Sequence, residues 1–108
     1  YDWADKAVMI SNNDGEAFFQ RAEVIFSLGE FCSQESLSFN DKVIFELSWE
    51  DYSKAVTKGY RAAESRRDFL KENSITTARD WFLQDENISN ISPSGECYGW
   101  LKRTIRRK

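Results

Sequence analysis

Apolar residues recur at helical spacing through most of the chain, and most densely between Glu16 and Ser33, EAFFQRAEVIFSLGEFCS. At about 100° per residue, Phe18, Ala22, Ile25, Gly29 and Cys32 share one line. Phe19 and Phe26 flank it on one side; Val24, Leu28 and Phe31 flank it on the other. Only Glu16, Gln20, Glu23, Ser27 and Glu30 form a plainly polar stripe. A helix with so wide an apolar arc belongs at the centre of a bundle or against a partner. Asp14 is placed to cap its N-terminus. Arg21 falls inside the arc, where an unpaired charge is too costly to bury. It must therefore reach a rim, meet an acid, or face a partner.

Elsewhere the pattern is less uniform. YDWADKAVMI permits a short helix with Trp3 and Ala7, or Ala4 and Val8, on one face, followed by turn residues Ser11, Asn12 and Asn13. Residues 35–47 admit two readings. Alternation of Val43, Phe45 and Leu47 suits a strand of a small hairpin with Leu37 and Phe39, whereas Asn40 or Asp41 would cap a helix. Residues 48–73 read as one helix, with Ser48 and Asp51 in capping-box spacing. Trp49, Tyr52, Val56, Gly59, Ala63 and Leu70 would be its apolar face. A further helix starts at the Thr77–Asp80 box and turns Trp81 and Phe82 inward. NISNISPSG reads as a loop, after which Ser94 would cap a last helix. The expected fold is mainly α: a single helical domain over residues 1–108, a bundle of four to five helices, with room for one short β-hairpin near residues 36–47.

Charge changes this picture at the chain end. Residues 1–54 carry a net −7 and residues 55–108 a net +4, within an overall −3. The last stretch, CYGWLKRTIRRK, has five cations and no acid. On a helical wheel Cys97, Trp100, Leu101, Thr104 and Ile105 gather on one side, and Lys102, Arg103, Arg106 and Arg107 on the other. Such an end can dock on an acidic part of its own chain, the Glu16–Glu23–Glu30 heptad stripe being the expected receptor. It can also contact a second protein, or touch nucleic-acid phosphates through Lys102, Arg103, Arg106, Arg107 and Lys108. Arg66 and Arg67 flank an apolar helix line and offer either an anion grip or stems that cover apolar surface.

Chemistry is scarce. The chain has no histidine, which removes imidazole acid–base catalysis and His/Cys zinc sites. No glycine-rich phosphate loop is present, and carboxylate pairs such as Glu64 with Asp68 lie among arginines as ordinary surface ion pairs. The expectation is no enzyme, no cofactor and no metal. A single disulfide between Cys32 and Cys97 is possible but unforced; the default is a reduced, cytoplasmic protein with Cys32 as a buried structural thiol. Asn87 and Asn90 each begin an N-x-S triplet, too short a motif to decide anything. No apolar run is long enough to cross a membrane, so no membrane partner is expected. Sixteen aromatics in 108 residues are many to bury. The expected function is a non-enzymatic protein–protein interaction or adaptor module, self-associating or binding another protein through Phe19, Arg21, Phe26 and Phe31. The alternative is a nucleic-acid-binding accessory protein that uses the basic C-terminus.

Overall fold

A computed structural model describes residues 2–10, 14–33 and 36–108. Ser11, Asn12, Asn13 and Glu35, used above as turn or segment-start residues, lie outside the described residues. The phenylalanine-rich segment is the helix α2 (Gly15–Cys32), and the Asp14 carboxylate accepts from the Glu16 N–H at 2.9 Å. Before it runs α1 (Asp2–Ile10), which turns Ala4 and Val8 inward and leaves Trp3 exposed.

The ambiguous segment is helical. α3 spans Phe39–Thr57, and its start is a full capping box between Ser38 and Asp41. The hairpin reading of residues 36–47 is thus replaced by helix. Val43, Ile44, Phe45 and Leu47 are all buried, because α3 lies between other elements and is covered on several sides. That all-round burial makes an alternating stretch fit a helix. Ser48 and Asp51 sit in the middle of α3 and cap nothing. The Ser48 hydroxyl donates to the Ala22 carbonyl of α2 at 2.8 Å, and Asp51 is a buried ion-pair partner.

The helix expected over 48–73 is broken. Gly59 adopts φ +91°, a left-handed conformation open to glycine at little cost, and reverses the chain after α3. A 3₁₀ turn (Arg61–Ala63) leads into α4 (Glu64–Asn73), which folds back against α3. α5 (Ala78–Phe82) begins at the expected Thr77–Asp80 capping box. Trp81 is buried as read, but Phe82 points outward, because α5 ends at this residue and has no second apolar turn to present.

α6 is a single turn (Gly95–Tyr98), and Ser94 makes no side-chain cap. The expected amphipathic helix at the basic end does not form: residues 101–104 are irregular, and the end joins a small antiparallel ladder, β1 (Asn90–Ile91) with β2 (Ile105–Arg106). The fold is mainly α with this one two-strand ladder among the described residues.

α2 and α3 form the central pair. At Gly29 a Cβ would come within 2.7 Å of the Phe45 ring, so glycine is what lets the two helices close at this point. One apolar cluster (Phe18, Ala22, Phe26, Tyr52, Leu70 and neighbours) fills the space under α1 and α4. A second joins Ile25, Val43, Ile44 and Leu47 to Trp81, Tyr98, Leu101 and Ile105. No helix among the described residues is long and apolar enough to cross a membrane.

Candidate functional site

The basic end packs against its own chain, though on a receptor other than the α2 stripe. Tyr98, Leu101 and Ile105 sink into the second cluster, and the polar groups between them reach acids of α3. Tyr98 donates its hydroxyl to Asp41 at 2.8 Å. Arg103 donates to both oxygens of Asp51, at 2.8 and 3.3 Å, and lies 3.7 Å from Glu50. Lys108 pairs with Glu46 at 3.1 Å and donates to the Thr76 carbonyl. Arg107 donates to the carbonyls of Trp81, Asp85 and Ile88, tying the 81–88 loop shut. Lys102 and Arg106 are exposed and have no acidic partner among the described residues; Lys102 donates to the Gly99 carbonyl.

Asp51 is the hub of this seam. It is fully buried, and it also receives Arg21 of α2 through two parallel bonds of 2.8 Å. A third Arg21 nitrogen donates to Asp5 of α1 at 2.8 Å. Two guanidinium groups and one interior carboxylate need every lone pair used, since a buried charge without partners is costly. Arg21 has therefore met an acid inside the fold. Glu46 completes the seam: it accepts from the Thr76 N–H and hydroxyl, and Thr76 in turn accepts from the Trp81 indole at 3.0 Å.

Burial shifts the titration of Glu50, Tyr52 and Tyr98. It pushes the Glu50 carboxyl above its ordinary range, with Arg103 pulling the other way. Burial, reinforced by a hydrogen bond to a carboxylate, drives the Tyr52 and Tyr98 hydroxyls well above the usual phenol value. Both tyrosines therefore serve as neutral donors, Tyr52 to Glu23 at 2.6 Å. No group of three or more acids or cysteines among the described residues is arranged to hold a metal ion.

The cysteines depart from the expectation of free thiols. α6 lies over the C-terminal end of α2, and Cys32 and Cys97 are joined by a disulfide with their Cα atoms 6.4 Å apart. Sixty-five positions separate them in sequence, so only the fold brings them together.

A concave surface lies between α2 and α4. α2 and α4 both pack on α3 and form the two walls of an open groove. Its larger hollow, about 410 Å³, is lined by Phe19, Glu23, Ala62, Ser65, Arg66 and Phe69. The smaller, about 210 Å³, shares Phe69 and adds Phe26, Glu30, Leu37 and Phe45 among others. Arg66 crosses between the walls, its guanidinium 4.1 Å from the centre of the Phe26 ring and 4.0 Å from Glu23.

The residues singled out from sequence thus separate. Phe19, Phe26 and Arg66 meet in the groove, with Phe26 largely buried as its floor. Arg21 is interior, Arg67 pairs with its neighbour Asp68, and Phe31 is 89% exposed next to the disulfide. Phe69 was not singled out. It sits on a helix of low apolar content, and only the return of α4 beside α2 gives it a role. No protein-family model matches the chain, and neither a curated protein nor a solved structure matches it.

Proposed function

We propose that this chain is a non-enzymatic protein-interaction module whose docking surface is the groove between α2 and α4. The observation that carries this reading is an aromatic-walled groove lined by Phe19, Phe26 and the half-exposed Phe69. Grooves between helices with ring side chains along them are where partner segments lose most water on binding. Phe31, Phe82, Leu83 and Trp100 add exposed apolar area beyond the groove. The alternative, nucleic-acid binding by the basic end, has less support, because Arg103, Arg107 and Lys108 are engaged inside the chain. The Cys32–Cys97 bond favours an oxidising compartment over the cytoplasm.

A photoreactive residue at position 69, introduced in the native host, tests the reading. One recurrent protein adduct, lost when Phe19→Glu is added, is the expected result. Sedimentation at micromolar concentration shows whether that adduct is a second copy. A strict monomer that gives no adduct at position 69 overturns the proposal.

A further inference from the structure

We infer that the groove selects a cationic amphipathic helix of a partner protein, reading a basic side chain, arginine above all, at Glu30 and apolar anchors around it. This rests on the reading of the groove as the docking surface. The chain itself displays the chemistry. In the larger hollow, Arg66 lies with its guanidinium over Phe26 and its edge toward Glu23, a carboxylate and a ring face together holding one cation. One heptad further along the same wall the arrangement recurs: Glu30 stands beside Phe26, Phe45 and Phe69 in the smaller hollow. Glu30 is exposed and has no partner among the described residues. The intramolecular cation that satisfies the first position has no counterpart at the second.

The spacing suits a helix. Glu23 and Glu30 lie about 10 Å apart along α2, two helical turns at about 1.5 Å per residue. Glu16 continues the stripe by another heptad and borders a third hollow, on the α1 side, next to Trp3. A partner helix laid along α2 would bring a basic residue to Glu30, a second one heptad on to displace Arg66 from Glu23, and a third two heptads on toward Glu16. Its apolar residues would fall against Phe69 and Phe19. An acidic or neutral helix gains only the second set of contacts. The chain's own basic end is not the occupant, since Arg103 and Lys108 are held by Asp51 and Glu46 of α3 and neither lines the groove.

Fluorescence anisotropy with three designed helical peptides tests this: one leucine-rich face, and arginine, glutamine or glutamate at every seventh position beside it. The arginine peptide should bind the wild-type disulfide-bonded protein. Glu30→Gln should weaken it about threefold to fivefold, the scale of an exposed charge pair, and raised salt should do the same. Phe69→Glu should abolish binding while far-UV circular dichroism stays unchanged. Equal binding of the arginine and glutamine peptides, both lost in Phe69→Glu, would overturn the cationic selection and leave the groove reading standing. Binding insensitive to Phe69→Glu and Phe69→Ala would overturn both. If no peptide binds yet the protein self-associates through Phe69, the occupant is a second copy and the inference is wrong.

Discussion

The two apolar clusters share α2 and α3 but are closed in different ways. The first is covered by α1 and α4, which turn Ala4, Val8 and Leu70 inward, and by Ala63 of the 3₁₀ turn between α3 and α4. The second is closed by α5, by the single turn α6 and by an arm that is irregular up to the two-residue β2. Tyr98, Leu101 and Ile105 supply its apolar cover, while Tyr98, Arg103 and Lys108 fasten it to Asp41, Asp51 and Glu46. A helix satisfies its own backbone and needs only an apolar stripe to dock. An irregular arm cannot do so, and its polar groups must find partners elsewhere. The first cluster has at its border Arg21 between Asp5 and Asp51 and the Tyr52–Glu23 bond, whereas the second is bordered by the whole polar seam of the arm and by a disulfide.

That contrast can be broken most forcefully at Asp51. Asp51→Ala leaves Arg21 and Arg103 facing each other without their carboxylate. It should cost about 3–5 kcal/mol, read as a fall in the urea midpoint. Arg103→Ala should cost clearly less, because Arg21 keeps its bidentate partner; equal losses would show that the hub is not Asp51. Truncating one buried leucine per cluster comes next. Leu70→Ala and Leu101→Ala should each cost about 2–5 kcal/mol. Both should lower one shared transition, since the clusters use the same two central helices. Two separate transitions in calorimetry of Leu101→Ala would show that the arm folds as an independent layer.

Removing the disulfide tests the arm alone. Cys32→Ser with Cys97→Ser should lose about 2–4 kcal/mol, and hydrogen exchange should rise first over residues 95–108. Uniformly faster exchange would mean the bond serves the whole fold. The smallest effect concerns Asp80 at the head of α5. Burial works against its charge, but hydrogen bonds from Thr77 and Lys42 outweigh this and hold the carboxyl below its ordinary value of 3.8. Its contribution is thus full above that pH and fades as pH falls through the lower folded value. Asp80→Ala should cost about 1 kcal/mol at neutral pH, and the gap to wild type should narrow only below pH 3.8.

Legibility followed the same divide. α2 and its Asp14 cap were readable because one helix face repeats every turn, and the Thr77–Asp80 box was readable because both partners lie within four residues. The reading erred where a local pattern served a distant contact. Ser48 and Asp51 have the spacing of a helix start, yet their partners are Ala22, Arg21 and Arg103 on other elements. Reading a boundary there cut α3 in two. Its acids Asp41, Glu46 and Asp51 were then not seen as one element able to receive the basic end, and the evenly spaced α2 glutamates were chosen instead. The groove was half visible: Phe19, Phe26 and Arg66 stood out, while Phe69 did not, since nothing before Gly59 announces that α4 returns beside α2.

Sequence alone determined the mainly helical class, the wide apolar arc of α2, and the rule that Arg21 cannot be buried unpaired. These follow from short-range periodicity and from the cost of burying ions, which hold whatever the fold. Tertiary structure decided which acids answer, that Cys32 meets Cys97, and that α2 and α4 stand apart as a groove. Those depend on where the chain reverses, at Gly59 and in the 83–94 loop, and contacts between residues fifty or more positions apart leave no periodic mark in the sequence.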